Sequence, residues 1–348
     1  MEVSLIATVK DEAESIGPFL DGLLAQSRPP QEIVLVDGGS SDGTVEEIRR
    51  AQASSTIPVK LIEAPGTNIS EGRNIAIAET AHETIAVTDA GTRPQSNWLA
   101  ELVAPLERDV AVDVSAGFFR PGGDGWRRRA LAIAITPQRE EIDPQSFLPS
   151  SRSVAFRKRW WQEVGGYPEW LRHCEDLVFD MAMRDAGARF EFAPEAIVEW
   201  DARPGLRPFA RQYFNYARGD GHANLWPKRH LARYSAYALG FLLLAARRRR
   251  WAIPLLLTGV AFHHSKFIRR LTRIRASEDP LEGAMAIAMV PAVVTVGDVA
   301  KMIGYAVGCR ERSGIERYPS TSSSPRPNRS DANARTSASA RSESTPNS

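Results

Sequence analysis

The stretch 88-TDAGTRP-94 brings an apolar run to an acid, Asp89, and then clears the space beside it with Ala90 and Gly91. A strand-end carboxylate next to a glycine suits close approach by a ligand, and the same pair also builds an ordinary turn. In 36-VDGGSSDGT-44 a second run closes on Asp37, followed by two glycines and a helix start at Ser41 or Asp42. That is a tight loop with an N-cap, and its acid can accept hydrogen bonds from a ribose hydroxyl or a base N–H. It lacks the anion-cradling logic of GxGxxG or GxxxxGK[ST]. Glu175 and Asp176 open 175-EDLVFDMAMRDAG-187, which is apolar at 177, 178, 181 and 183 and stopped by glycine. Acids at a helix start complement its dipole as readily as they do chemistry.

The elements that must position these acids alternate. Runs at 3-VSLIATV-9, 32-EIVLVD-37, 59-VKLIEA-64 and 84-TIAVTDA-90 read as buried strands. Between them lie helical stripes: Ile16, Phe19, Leu20, Leu23 and Leu24; then Val45 and Ile48; then Ile75, Ala76 and Ala78. This βαβα order predicts an α/β fold with a mostly parallel sheet flanked by helices. Ligands of such sheets bind beyond the carboxyl ends of the strands. That edge holds Lys10-Asp11-Glu12, Asp37-Gly38-Gly39-Ser40, Gly66-Thr67-Asn68 and Asp89-Ala90-Gly91, with acids at three of the four ends. A further strand is expected over 110-VAVDVSAGFF-119.

Composition narrows the classes. Hydrophobic residues at 43% and charged residues at 25% are ordinary for a globular chain. Lys and Arg total 44 against 42 acids, a net charge of +2, which argues against a nucleic-acid partner and makes any electrostatic function local. Two cysteines, Cys174 and Cys309, without a CxxC pair give neither a disulfide framework nor a zinc site, and inert thiols are expected. The amino terminus enters strand-like sequence at once, without the basic start and cleavage site of a signal peptide, so the first domain is expected in the cytosol.

In chain order, VSLIATVKDEAESI, VDGGSSDGT, 72-GRN-74, TDAG and 165-GGYPEWLRHCEDLVFDMAMRDAG-187 resemble the family 2 glycosyltransferases, whose catalytic domain has the GT-A fold, a Rossmann-like sheet. The similarity runs over roughly residues 1 to 200. It implies a nucleotide-sugar donor, a divalent metal (Mg²⁺ or Mn²⁺) and an acceptor hydroxyl that attacks the donor's anomeric carbon with inversion. Residue by residue, the resemblance makes Thr8, Glu12, Asp37, Arg73 and Asp89 donor-binding positions. Asp37 matches the acid that contacts the nucleotide, and Arg73 a basic residue near the base or diphosphate. Asp89 matches the first acid of the family's D-x-D and is the implied metal ligand. Gly91 stands where the second acid belongs, leaving His222 or Asp201 as possible later ligands. Glu175 and Asp176 match the E-D pair, with Asp176 as the catalytic base.

Beyond residue 200 basic and aromatic residues mix, then three apolar segments follow at 234–246, 251–262 and 284–308, with four arginines at 247–250 between the first two. The first two fall short of the ~20 residues that span a bilayer, and the third carries Asp298 and Lys301. Membrane contact is expected, with anionic headgroups facing the arginines. The family's Q-x-x-R-W motif is absent. We therefore expect a catalytic domain over 1–230, a membrane-associated helical region over 231–310 and a disordered tail over 311–348. The expected partners are a nucleotide sugar, a lipid-linked or glycan acceptor, and the cytoplasmic side of the cell membrane. Trp160, Trp161, Tyr167 and Trp170 are expected either in the core or as an acceptor platform. The alternatives are a sugar-phosphate nucleotidyltransferase, whose Gly-rich loop is missing from VKDEAES, and a non-catalytic sugar-nucleotide-binding membrane scaffold.

Overall fold

The computed structural model describes residues 1–122, 125–135, 137–201, 205–245, 249–273 and 280–312. Of the tail expected over 311–348, Glu311 and Arg312 are helical and the rest lies outside the described residues, as do Arg247 and Arg248 of the arginine run.

The first third alternates as the apolar periods predict: β1 (Val3–Val9), α1 (Ile16–Leu24), β2 (Glu32–Asp37), α2 (Thr44–Ser54), β3 (Val59–Glu63), α3 (Ile69–Ala78) and β4 (Thr84–Val87). These four strands lie parallel in the order β3-β2-β1-β4. Helices cover both faces, which is why β1 and β2 are apolar along their length instead of alternating. After them come β5 (Thr92–Pro94), α4 (Trp98–Arg108), β6 (Val114–Gly122), α5 (Trp126–Ile135), β7 (Val154–Arg157), α6 (Lys158–Val164), α7 (Glu175–Asp185) and β8 (Phe190–Asp201). The sheet continues beyond β4 as β7-β6-β8-β5. There it becomes mixed: β7 is antiparallel to β4 and to β6, β8 is parallel to β6, and β5 is antiparallel to β8. One core layer packs Phe19, Leu20 and Leu23 of α1 with Trp98, Leu99 and Leu102 of α4. The other packs Ala76 and Ile77 of α3 with Tyr167 and with Phe179 and Met183 of α7.

Two strand boundaries differ from the sequence expectation, each for a local reason. The run at 84–90 is strand only to Val87, because the Thr88 hydroxyl donates to the Arg152 carbonyl (2.9 Å) and meets the Thr92 hydroxyl (3.0 Å). Asp89 is thereby carried off the ladder into a loop. The run at 110–119 becomes strand only at Val114, since Val112 N–H turns back to Asp109 O (3.0 Å) and Val110 is left 82% exposed.

Four helices follow: α8 (Leu206–His222), α9 (Pro227–Ala245), α10 (Arg249–Arg273) and α11 (Pro280–Arg312). Among the described residues α11 is the one helix long and apolar enough to cross a membrane. It packs along α8, where Val293 is buried with Phe209 and Tyr213, and against α5, where Val290 and Val294 are buried with Ala130. Glycines set the separation. A Cβ at Gly304 would stand 2.2 Å from Phe214 O, and one at Gly308 2.1 Å from Arg218 O, both on the α8 backbone. Neither atom can yield without parting the helices. Gly304→Ala combined with Gly308→Ala is therefore expected to destabilise the protein by about 1–3 kcal/mol or more, as overpacking does. Urea unfolding of the detergent-solubilised chain reads this, and an unchanged midpoint would mean that the helices separate freely.

Candidate active site

Local rules place each functional side chain before tertiary contacts join them. α3 begins with a capping box: Asn68 Oδ1 accepts from Ser70 and Glu71 N–H, and Glu71 accepts from Asn68 N–H (2.7 Å). This fixes the helix start and puts Arg73 within its first turns. Gly72 lets α3 lie directly on β1, because a Cβ there would stand 2.8 Å from Thr8 Cγ2. α7 begins after Cys174, held at φ 64° in the left-handed region. α8 passes over that turn at Gly219, where a Cβ would be 2.5 Å from His173 O. The Cys174 thiol is pushed up by burial, and Asp220 adds to the shift; it stays protonated and donates to Tyr216 O at 3.3 Å.

The two regions meet at Arg73. Its guanidinium is 2% exposed and forks between Asp89 Oδ1 and Glu175 Oε1, each at 2.7 Å. The Tyr167 ring lies 5.2 Å below it, stacked in turn on Phe179. Burial raises Glu175 above the ordinary carboxylate range, Asp176 adds to this, and Arg73 pulls against both. Asp176 is spent differently. Its Oδ1 accepts from Leu177 N–H at 2.8 Å, its Oδ2 has only a long contact to the Ser150 hydroxyl at 3.4 Å and one to Ser151 N–H at 3.5 Å, and among the described residues no cation pairs with it. Arg73, Asp89, Glu175 and Asp176 all line one cavity of about 1900 Å³.

The other expected positions do not line this cavity. Thr8 touches the α3 start through Gly72. The Glu12 carboxylate takes a hydrogen bond from the Ser15 hydroxyl and lies 3.4 Å from where a Cβ at Gly91 would stand. A Cβ at 91 would thus touch Glu12 at ordinary contact distance, and the positive φ of Gly91 (78°) is what disfavours a side chain there. Asp37 is buried at the end of β2, beside Val9, and accepts from the Gly39 and Ser40 N–H groups at 3.0 Å. His222 and Asp201 are engaged elsewhere, the first with Glu311 (2.6 Å) and the second with Arg93 (2.7 Å). Tyr167 is core, and Trp161 donates to Asn74 Oδ1 at 2.9 Å.

Sequence reasoning missed Arg152. Its Nη1 meets the Ser150 hydroxyl at 3.0 Å, its Nε lies 3.9 Å from Asp89 Oδ2, and its guanidinium sits over Trp200 (4.8 Å) and Phe119 (5.2 Å). The Nε is buried without a hydrogen-bond acceptor. The only signal was an arginine within 150-SSRS-153, just ahead of β7.

At Asp89 a divalent cation would find one open carboxylate oxygen. Among the described residues no three His, Cys, Asp or Glu side chains form a metal cluster. Asp89 Oδ1 is taken by Arg73, whereas Oδ2 has only Arg152 Nε at 3.9 Å. That fits a cation that draws the rest of its oxygen shell from a diphosphate and water.

Known proteins agree with this architecture. Residues 4–165 match the family model described as Glycosyl transferase family 2. The chain is similar to glycosyltransferase AglE of Haloferax volcanii, 26% identical over 70% of this chain and 80% of that protein. It is also similar to the O-antigen chain rhamnosyltransferase RfbN of Salmonella typhimurium, 24% identical over 62% of this chain and 71% of RfbN. The succinoglycan biosynthesis protein ExoA of Rhizobium meliloti is 26% identical over 60% of this chain and 66% of its own length. In fold the chain resembles the mannosyltransferase PcManGT of Pyrobaculum calidifontis, solved with GDP-Man and Mn²⁺, with a TM-score of 0.54 at 17% identity over 89% of this chain and 86% of that one.

Removing Arg73 strands two carboxylates, one of them buried. Arg73→Met is expected to cost about 3–5 kcal/mol of stability, as breaking one side of a buried ion pair does. Adding Glu175→Leu should recover part of that loss. Urea midpoints of the two variants check both statements, and additive losses would show that the pair is not coupled.

Proposed function

With a family 2 glycosyltransferase domain over residues 4–165, the chain is a glycosyltransferase of GT-A fold, and from that premise we propose that it transfers a sugar from a nucleotide-sugar donor to a lipid-linked or glycan acceptor at the cytosolic face of the membrane. On this reading residues 1–230 are the catalytic domain and 231–310 the membrane-associated region.

The observation that carries the reading is the division of labour between two adjacent acids. Glu175 is committed to Arg73, while Asp176 stands on the cavity wall and among the described residues has no cation within ion-pair distance. Asp176 takes the proton of the acceptor hydroxyl as that oxygen attacks the anomeric carbon. The bond from that carbon to the nucleoside diphosphate breaks on the opposite face, giving inversion. Arg73 and Arg152, both on the cavity wall, hold the diphosphate end in place. A divalent cation held by Asp89 Oδ2 would, when bound, offset charge on the leaving diphosphate. Thr8, Glu12 and Asp37, at the neighbouring strand ends, receive the nucleoside. The names of RfbN and ExoA speak for glycan assembly, without identifying the sugar moved here.

Membrane attachment is supported by the α9–α10 pair. Phe241 is 70% exposed, Trp251 72% and Phe262 83%, with Leu242, Leu255 and Leu257 exposed beside them. Large apolar side chains exposed together on two adjoining helices mark a surface that meets a membrane or another apolar partner. It suits helices lying in the bilayer interface, with Arg250 and Lys266 near the headgroups.

Asp176→Asn is expected to lower sugar transfer by at least 10²-fold, the scale of a lost general base, while the donor-binding constant with Mn²⁺ stays within about threefold of the starting protein. Transfer at the normal rate would take the base role away from Asp176. For the membrane, Phe241→Glu with Phe262→Glu should abolish sedimentation with phosphatidylglycerol vesicles; retained binding would place the contact elsewhere.

A further inference from the structure

α8 brings to the candidate site a hydroxyl that the reaction has not yet used. Tyr216 lines the cavity together with Arg152, Asp89 and Asp176. Its backbone is tied to the turn ahead of the two acids, since the Cys174 thiol donates to Tyr216 O at 3.3 Å. Its ring is held as well: the buried Tyr213 ring, one helical turn earlier, meets it edge-on with centroids 6.3 Å apart. The hydroxyl is thereby delivered to Arg152, 64 residues away.

A phenol oxygen both accepts and donates, and at Tyr216 the accepting side is filled. Gln212 Nε2 donates to it at 2.8 Å and Arg152 Nη2 at 3.4 Å. Neither nitrogen can accept in return, so among the described residues the phenol's own O–H has no acceptor. Turning the Gln212 amide over would supply one, but would bury two unmet N–H donors where a single unmet oxygen, Oε1, now stands, at a larger desolvation cost.

Arg152 adds a second unmet donor next to the first. Its Nε is buried without an acceptor, 3.9 Å from Asp89 Oδ2, the oxygen left open to a cation. Its Nη1 meets the Ser150 hydroxyl at 3.0 Å, and that hydroxyl reaches Asp176 Oδ2 at 3.4 Å. The chain of contacts from Tyr216 to Asp176 thus passes through a guanidinium that donates in both directions and cannot hand on a proton. Tyr216 is in consequence no proton relay to the base. Two unmet donors beside an oxygen open to a cation are satisfied together by an anion with several acceptor oxygens.

We propose that Tyr216 is a further catalytic residue, whose O–H donates to an oxygen of the donor's diphosphate beside Arg152 and stabilises the charge that gathers there as the sugar leaves. This deepens the glycosyltransferase reading and rests on it. The acceptor oxygen bonds to the anomeric carbon and yields its proton to Asp176. The bond from that carbon to the diphosphate oxygen breaks, and its electron pair stays on the diphosphate. The phenol keeps its proton throughout. Its hydrogen bond strengthens as the leaving group gains charge, so it favours the transition state over the bound donor.

Calorimetric titration of the full-length protein in a non-ionic detergent with UDP, GDP and dTDP in Mg²⁺ reads the contact without turnover. The tightest of the three is expected to bind at least threefold more weakly to Tyr216→Phe, which keeps the ring and loses only the hydroxyl. Placed on Arg152→Met, the same change should cost at least a further twofold, because a hydroxyl that touches the diphosphate acts without the arginine. Arg152→Lys takes that place if Arg152→Met does not fold. With the nucleotide sugar that the starting protein hydrolyses fastest, Tyr216→Phe should lower kcat about tenfold or more, toward the scale of a lost oxyanion donor, with KM within about threefold. Undiminished diphosphate binding by Tyr216→Phe would overturn the proposal. So would the absence of any further loss on the Arg152 variant, since Tyr216 would then serve only to support that arginine. Diphosphate binding that depends on Tyr216 in a protein that hydrolyses no nucleotide sugar would count against the transferase assignment and leave the contact standing.

Discussion

The site depends on a single buried guanidinium. Arg73 is charged, 2% exposed and held by two carboxylates from parts of the chain 16 and 102 residues away. An arginine cannot shed its proton to escape burial, so its partners must be present and aligned before the surrounding core can close. The core on that side of the sheet, with Tyr167 stacked on Phe179 beneath the guanidinium, therefore closes only when the loop after β4 and the start of α7 are both in place. Folding of this half of the sheet and assembly of the site are thus one event.

That constraint also explains why two adjacent acids differ. Glu175 faces inward and is used as a counter-ion; Asp176, one residue on and rotated about 100° around the helix, faces the cavity. A helix start imposes this rotation on any two consecutive residues. The strained left-handed turn at Cys174 decides which of the two looks inward, and α8 holds that turn in place by lying on it through Gly219. The carboxyl-terminal helices in this sense help to shape the candidate site. α8 carries the lid of the turn, and α11 holds α8 through Gly304 and Gly308. What lies between α8, α9 and α11 is continuous with what lies at Asp176, so chemistry at one end and apolar surface at the other share one cavity.

Much of this was legible in the chain. Fully apolar runs alternating with 3.6-residue stripes specify strands buried on both faces and the helices that cover them, and this local periodicity needs no tertiary information. The acids at strand ends followed from the same reading, because a parallel sheet puts every carboxyl end on one rim. The apolar carboxyl-terminal segments are likewise recognisable by composition, and all three are helical.

Other features were decided only by the folded chain. The end of β4 at Val87 and not at Ala90 depends on a hydroxyl of Thr88 meeting Arg152, 64 residues away. Arg152 itself looks like any surface arginine until Phe119, Trp200 and Asp89 surround it. Asp298 and Lys301 read as interruptions of a membrane-like segment, whereas in the structure they meet Arg233, His263 and Tyr213 from three other helices. Residue type and spacing thus determined the elements and the kinds of groups on the rim, since hydrogen bonding and apolar period are local. Which charge meets which, and which is left without a partner, is a matter of contacts between residues distant in sequence, and those exist only once the layers have packed.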